Sequence, residues 1–309
     1  MSPKLSLIAP IFNEELVVEE FYKQAKNNLV ALTENYEIIF IDDGSSDNTW
    51  SKIRRIAESD KKIIALRFSR NFGHHFAITA GLQKATGEYA IVMDTDLQDD
   101  PKVIKNLYDE INKGYDVVFV NRIKRTDKLM YKILQRLFYI ILNSLSGLKF
   151  DHRQANFSMI SRKVIDAFNL FPESSRFYIS TVHWLGFKTT SIDAQHQKRF
   201  DGKPSYSFKK RFALASDIII SFSERPLKIG IYFGVFSSGM AFIASAYIII
   251  CKILWGFEIQ GWTSIMTTIT FFSGLLLIVI GIMGIYLGRI FTEVKKRPLY
   301  ILSEAINLT

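Results

Sequence analysis

Two runs without a charged residue, Ile229 to Cys251 and Gly261 to Gly288, constrain this chain more than any other feature in it. Each is longer than the roughly 20 residues an α-helix needs to cross a hydrocarbon core about 30 Å thick. Uncharged runs of that length seldom occur in soluble folds, so the reading is a membrane hairpin rather than two core helices. The flanks set its direction. Lys209, Lys210, Arg211, Arg225 and Lys228 precede the first run, and Arg289, Lys295, Lys296 and Arg297 follow the second, while the loop between them carries Lys252 and Glu258. Basic residues stay on the cytoplasmic side, so both ends are expected there and the short loop outside. Trp255 and Trp262 stand where interfacial aromatics are expected.

The residues ahead of the first run are expected to stay in the cytosol. Met1 to Pro10 has one lysine and a short apolar run with no small-residue cleavage pattern, so it is not a signal peptide. The single cysteine, Cys251, falls in the first apolar run and leaves no disulfide framework. A net charge of +9 raises the question of nucleic acid. The basic residues cluster beside the apolar runs, however, which suits anionic headgroups, and no nucleic-acid partner is expected.

Apolar runs of strand length alternate with helical patterns through the first 120 residues. Strands are expected over Lys4 to Ala9, Tyr36 to Ile41, Ile63 to Phe68, Tyr89 to Met93 and Asp116 to Val120. Alternation on this spacing predicts an α/β fold, a mostly parallel, doubly wound sheet with helices on both faces. Right-handed crossovers bring the polar loops after these strands to one edge. Asp42, Asp43, Asp94 and Asp96 should therefore converge, although they are scattered in sequence. No GxGxxG or Walker A loop is present, which argues against a dinucleotide enzyme and a P-loop NTPase.

The stretch Asp94-Thr95-Asp96-Leu97-Gln98-Asp99-Asp100-Pro101 follows the fourth strand, where open α/β sheets bind ligands. Two carboxylates and an amide oxygen on this spacing suit Mg²⁺ or Mn²⁺ that also holds substrate phosphates. The spacing equally suits an acidic turn capping a helix that begins near Pro101. Five histidines without metal spacing do not make a zinc site, and His74 and His75 read as ordinary polar residues at a helix start.

Pro10-x-x-Asn13-Glu14, Asp42-Asp43-Gly44-Ser45 and Asp94-x-Asp96-x-Gln98 occur in the order and spacing of family 2 glycosyltransferases with the GT-A fold. With the hairpin added, the chain resembles over nearly its whole length the polyprenyl-phosphate glycosyltransferases, relatives of dolichol-phosphate mannose synthase. Each motif alone is common; the three in register with a hairpin are specific. The resemblance implies that Pro10, Asn13, Glu14, Asp42 and Asp43 hold the base and ribose of a nucleotide sugar. It also implies that Asp94, Asp96 and Gln98 carry a Mg²⁺ or Mn²⁺ ion bridging the diphosphate, with Asp96 catalytic. Arg70, at the end of the third strand, is a candidate donor contact or a surface turn.

On the acceptor side, Arg122 and Arg136 match positions where similar enzymes place arginines against the acceptor phosphate. They belong to a basic stretch with Lys124, Arg125, Lys128 and Lys132, for which a solvated basic face is the other reading. The segment Asn156 to Lys163 resembles the stretch that closes the family's active site, with a departure. Many lipid-phosphate members have Asp before the aromatic and Arg after it, where this chain has Asn156 and Ser158. Arg199 to Ser207 is similar to a loop that folds over the substrates, and Phe208 to Phe222 suits an interfacial helix.

The expected organisation is a GT-A domain over residues 1–206, an amphipathic segment over 207–227, a hairpin over 228–290 with spans near 229–251 and 262–288, and a cytosolic tail over 291–309. The reaction that the resemblance implies is inverting transfer of one sugar, a glucose-type hexose, from a UDP-linked donor to polyprenyl phosphate at the cytoplasmic leaflet. Membrane lipid is an expected partner. Small residues in both spans permit close helix packing, and a homo-oligomer is expected. The competing readings are a glycan acceptor on the same fold and a non-catalytic, nucleotide-binding membrane scaffold.

Overall fold

The computed structural model describes residues 4–123, 144, 153–173, 176–195, 223–255 and 261–308. They fall into two compact units. One holds the residues up to 195, apart from Ser144, together with 298–308; the other holds Ser144, 223–255 and 261–297.

The first unit is built on an eight-stranded sheet. Its strands are β1 (Leu5–Ile11), β2 (Tyr36–Asp42), β3 (Ile63–Phe68), β4 (Tyr89–Val92), β5 (Val117–Ile123), β6 (Gln154–Ser161), β7 (Thr189–Gln195) and β8 (Leu302–Ile306), in spatial order β7-β5-β6-β4-β1-β2-β3-β8. β1 pairs in parallel with β2 and β4, as β2 does with β3 and β5 with β7. β6 runs antiparallel between β4 and β5, which leaves those two pointing the same way. All five expected strands therefore end at one edge. β1 and β2, mostly apolar and covered on both faces, are buried along their whole length, and the buried Ser6 hydroxyl donates to Glu37.

Helices cover both faces. On one lie α1 (Val18–Val30), α2 (Thr49–Ser59) and α4 (Val103–Ile111), whose Phe21, Leu29, Trp50, Ile53, Ile104 and Leu107 pack with Leu5, Ile38 and Phe40 of the sheet. On the other lie α3 (His74–Lys84), α5 (Arg162–Asn169) and α6 (Tyr178–Trp184), where Ile78, Leu82, Phe168 and Tyr178 pack with Ile8, Ile39 and Ile41. Strand alternation sends Ile38 and Phe40 one way and Ile39 and Ile41 the other. Phe21 is fully buried and meets Phe40 edge to face, with ring centroids 6.2 Å apart. Phe21→Ala should lower unfolding free energy by about 3–5 kcal/mol, measurable by urea denaturation.

Three strands were not legible as such. β6 carries Asn156 and Ser158 within an otherwise apolar run, and Ser158 stays buried because its Oγ lies 2.7 Å from the buried Tyr178 hydroxyl. β7 and β8 are edge strands that alternate partly buried and exposed residues. Within the tail expected over 291–309, Leu302–Ile306 is thus part of the sheet: β8 pairs antiparallel with β3, and Asn307 donates to the carbonyls of Ala57 and Ile63.

The second unit contains α7 (Arg225–Trp255) and α8 (Trp262–Val294). Both are long and apolar enough to cross a membrane, over windows Leu227–Ala244 and Thr267–Val294, and almost nothing in either window is buried. α8 runs past the expected end at 288. Of the amphipathic segment expected over 207–227, residues 207–222 lie outside the described residues, as does the loop Arg199 to Ser207, and Arg225 to Leu227 belong to α7.

Candidate active site

The loops after β1 and β2 are sewn together. Asn13, at φ 53°, donates its backbone N–H to Ser45 Oγ and accepts the Ser46 N–H on its side-chain oxygen, at 2.9 Å each. Glu14 N–H donates to Thr49 Oγ1. Gly44 sits at φ +73°, and a Cβ there would lie 2.5 Å from the carbonyl carbon of Arg70. Only glycine lets the β2 and β3 loops approach so closely.

Asp42 and Asp43 are buried and face different neighbours. Asp42 Oδ1 accepts the Ser45 N–H at 2.9 Å, while Oδ2 lies 3.4 Å from Arg67 Nε, which also faces Glu304 of β8. Asp43 accepts the backbone N–H groups of Phe72 and Gly73 at 2.7 and 3.0 Å and so fixes the start of α3. Burial pushes both carboxyls above their ordinary value, against these hydrogen bonds. Arg70 is exposed, donates to the carbonyl of Asn71 and lies over the Phe72 ring.

The acidic stretch after β4 does several jobs. Asp96 Oδ1 accepts the Gln98 N–H at 3.1 Å across Leu97, whose φ of 54° is rare for a branched side chain. Asp100 accepts the Lys102 N–H at 2.9 Å just ahead of α4, so part of the stretch is the helix-entry turn the spacing allowed. Asp99 is buried and grips Arg122 with both oxygens, at 3.1 Å from Nε and 2.6 Å from Nη2. The same Nη2 reaches Asp94 Oδ2 at 3.4 Å. Burial disfavours the charged guanidinium, but Asp99, with Asp94 and Asp96, outweighs it and raises the pKa. Arg122 therefore stands inside an acidic cluster; Arg136 lies outside the described residues.

Asp94 is held from the other side by a residue given no site role in the sequence reading. His74 Nε2 lies 3.2 Å from Asp94 Oδ1 and 3.1 Å from the side-chain nitrogen of Asn156 on β6. Burial opposes charging this imidazole, yet Asp94, with Asp43 and Asp96 beyond, outweighs it and holds the pKa above its ordinary value. For Asp94, burial is likewise outweighed, by His74 and Arg122, and its carboxyl is held well below the usual range. His75 behaves oppositely: burial and the neighbouring His74 push its pKa down to about 3. Its Nδ1 faces the Tyr178 N–H, and its ring meets Phe177 edge on.

Asp94 thus meets His74 directly, with Asp43 and Asp96 near enough to act on its charge, while Asp42 faces Arg67. Among the described residues no three His, Cys, Asp or Glu side chains form a ready-made metal cage. The donor set still fits a hard divalent ion that takes its other ligands from water and a diphosphate. Asp94 Oδ1 is a buried oxygen with no aligned hydrogen-bond donor among the described residues; His74 lies 3.2 Å from it and Arg122 lies 3.4 Å from Oδ2.

Residues 6–168 match the profile of glycosyl transferase family 2. The chain belongs to that family. This glycosyltransferase is 37% identical over 302 residues to the prophage bactoprenol glucosyl transferase homolog of Escherichia coli K12, covering 97% of this chain and 99% of that one. It is 36% identical over 303 residues to the bactoprenol glucosyl transferase of Shigella phage SfII, covering 98% of each. Its fold is similar to that of glucosyl-3-phosphoglycerate synthase of Mycobacterium tuberculosis, crystallised with Mn²⁺, UDP-glucose and phosphoglyceric acid. That similarity has a TM-score of 0.51 at 19% identity and covers 71% of this chain and 78% of that one.

Proposed function

We propose that this glycosyltransferase moves one glucose-type hexose from UDP-hexose to polyprenyl phosphate, with inversion, at the cytoplasmic face of a membrane. The observation that carries this reading is the similarity to bactoprenol glucosyl transferases, which runs through both long apolar helices as well as the sheet domain. An isoprenoid acceptor is itself confined to the bilayer, and an anchored enzyme meets it there. Both termini and the sheet domain are assigned to the cytoplasm by the basic flanks.

In this reading the anomeric C1 exchanges its bond to the diphosphate oxygen for one to an oxygen of the acceptor phosphate. That oxygen is ionised near neutral pH, so no side chain has to remove a proton. Asn156, standing where related enzymes carry an acid, is compatible with this because an amide cannot serve as a base. Asp94, Asp96 and Gln98 would hold Mg²⁺ or Mn²⁺, which when bound screens the charge growing on the departing nucleoside diphosphate. Pro10, Asn13, Glu14 and Asp43 line or brace the nucleotide side, and Arg70 borders it. Arg136 is assigned to the acceptor phosphate, where a guanidinium binds two oxygens at once. Arg122, gripped by Asp99, orients Asp94 and presents its remaining N–H groups.

The test uses membranes containing the full chain, UDP-[¹⁴C]glucose and undecaprenyl phosphate with Mg²⁺ or Mn²⁺. Label should enter a chloroform-soluble product that mild acid releases. Label found in a water-soluble glycan would replace this acceptor with the alternative one. Absence of any transfer or divalent-ion-dependent UDP binding would favour a scaffold.

A further inference from the structure

His74 opens α3 one residue after Gly73, whose N–H is held by Asp43, so its backbone is fixed by the carboxylate on the nucleotide side. Its imidazole reaches across to Asp94 on the other side of the cluster, with Nε2 3.2 Å from Oδ1. Asn156, delivered by the antiparallel β6, closes on the same nitrogen at 3.1 Å. The two oxygens of Asp94 are thereby divided: Oδ1 faces His74, and Oδ2 faces Arg122 at 3.4 Å. A carboxylate with one cationic or donor group on each oxygen has its plane set before any ligand arrives. Oδ1 retains no aligned hydrogen-bond donor, so a lone pair is left to a cation. The amide of Asn156 can turn either its oxygen or its nitrogen toward the imidazole. An aspartate in its place would set a second carboxylate against the same nitrogen.

We propose that His74 is a positioning residue for glycosyl transfer: it fixes the Asp94 carboxylate in the orientation that receives the divalent ion of the donor diphosphate, and Asn156 fixes the imidazole. This rests on the metal-dependent reading of the site given above. The imidazole touches neither donor nor acceptor in this role and acts through Asp94. Gln at position 74 places an amide nitrogen near the location of Nε2, and so preserves the contact that Ala removes.

The experiment measures Mn²⁺ binding to the purified, detergent-solubilised full chain by electron paramagnetic resonance, with and without UDP. Circular dichroism follows folding, and glucosyl transfer is measured in parallel. His74→Ala should weaken Mn²⁺ binding in the presence of UDP by about tenfold, the scale of one contact to a charged group. His74→Gln should stay within about threefold of the parent, and Asn156→Ala should fall between them. UDP affinity without metal should be the same in all four proteins. In transfer, His74→Ala should raise the Mn²⁺ concentration needed for half-maximal rate more than it lowers the rate at saturating Mn²⁺. If folded His74→Ala binds Mn²⁺ as the parent does while Asp94→Ala does not, the positioning role is overturned and the metal site stands. If Asp94→Ala also binds Mn²⁺ normally, the metal reading falls and this inference with it. A loss of metal-free UDP affinity in His74→Ala equal to the loss of Mn²⁺ affinity would assign His74 a general structural role instead.

Discussion

Asp96→Ala should reduce glucosyl transfer by about a thousandfold, about 4 kcal/mol of transition-state stabilisation, while the chain still folds. Asp96 is half-buried and accepts the Gln98 N–H, which helps keep Leu97 in its left-handed conformation. Alanine therefore removes a turn contact as well as a charge. Asp96→Asn separates the two, because its amide oxygen can still accept that N–H but brings no negative charge to an ion. If charge is what matters, Asp96→Asn should have nearly the melting temperature of the parent and an activity loss close to that of alanine. Transfer assays at saturating donor and acceptor, beside thermal melts, decide it. Normal turnover in either variant would remove Asp96 from the reaction.

The second large effect is expected at Asp99, which the motif reading left without a role. Its buried carboxylate grips the Arg122 guanidinium through two contacts, and Arg122 in turn reaches Asp94. Asp99→Ala leaves a largely buried guanidinium with Asp94 as its nearest remaining carboxylate. Breaking a buried ion pair from one side costs about 3–5 kcal/mol, more than removing both charges. Asp99→Ala should accordingly lose several degrees in melting temperature. The double variant Asp99→Ala, Arg122→Met should recover part of that loss and none of the activity. A double variant as unstable as the single one would show that Asp99 acts through some other contact.

Arg122 and His74 also show where reading the chain in one dimension stops. Arg122 stands next to Lys124 and Arg125 in sequence, and that neighbourhood suggests a cationic patch awaiting a phosphate. Its actual neighbours are acids 23 and 28 positions earlier, brought alongside because β4 and β5 end at the same edge with β6 between them. His74 was passed over because a lone histidine at a helix start carries no pattern. Its importance comes from Asp43 pinning the preceding N–H groups and from Asn156 arriving on an antiparallel strand.

What the amino-acid order determined by itself is local and periodic. Apolar runs broken by acidic, glycine-bearing turns define five strands and the edge at which they end, because a buried strand must be apolar and its exit polar. Two uncharged stretches define α7 and α8, each long and apolar enough to cross a membrane. Only the tertiary structure decided which acids share a neighbour. Asp42 turns to Arg67 and the β8 edge, while Asp94 meets His74 directly and Asp43 and Asp96 add to the charge that raises its pKa. It also placed β8 in the sheet, because an edge strand with a partly exposed face needs little apolar sequence to announce it. Charge pairing acts over a few ångströms of space, whereas sequence patterns report only separation along the chain.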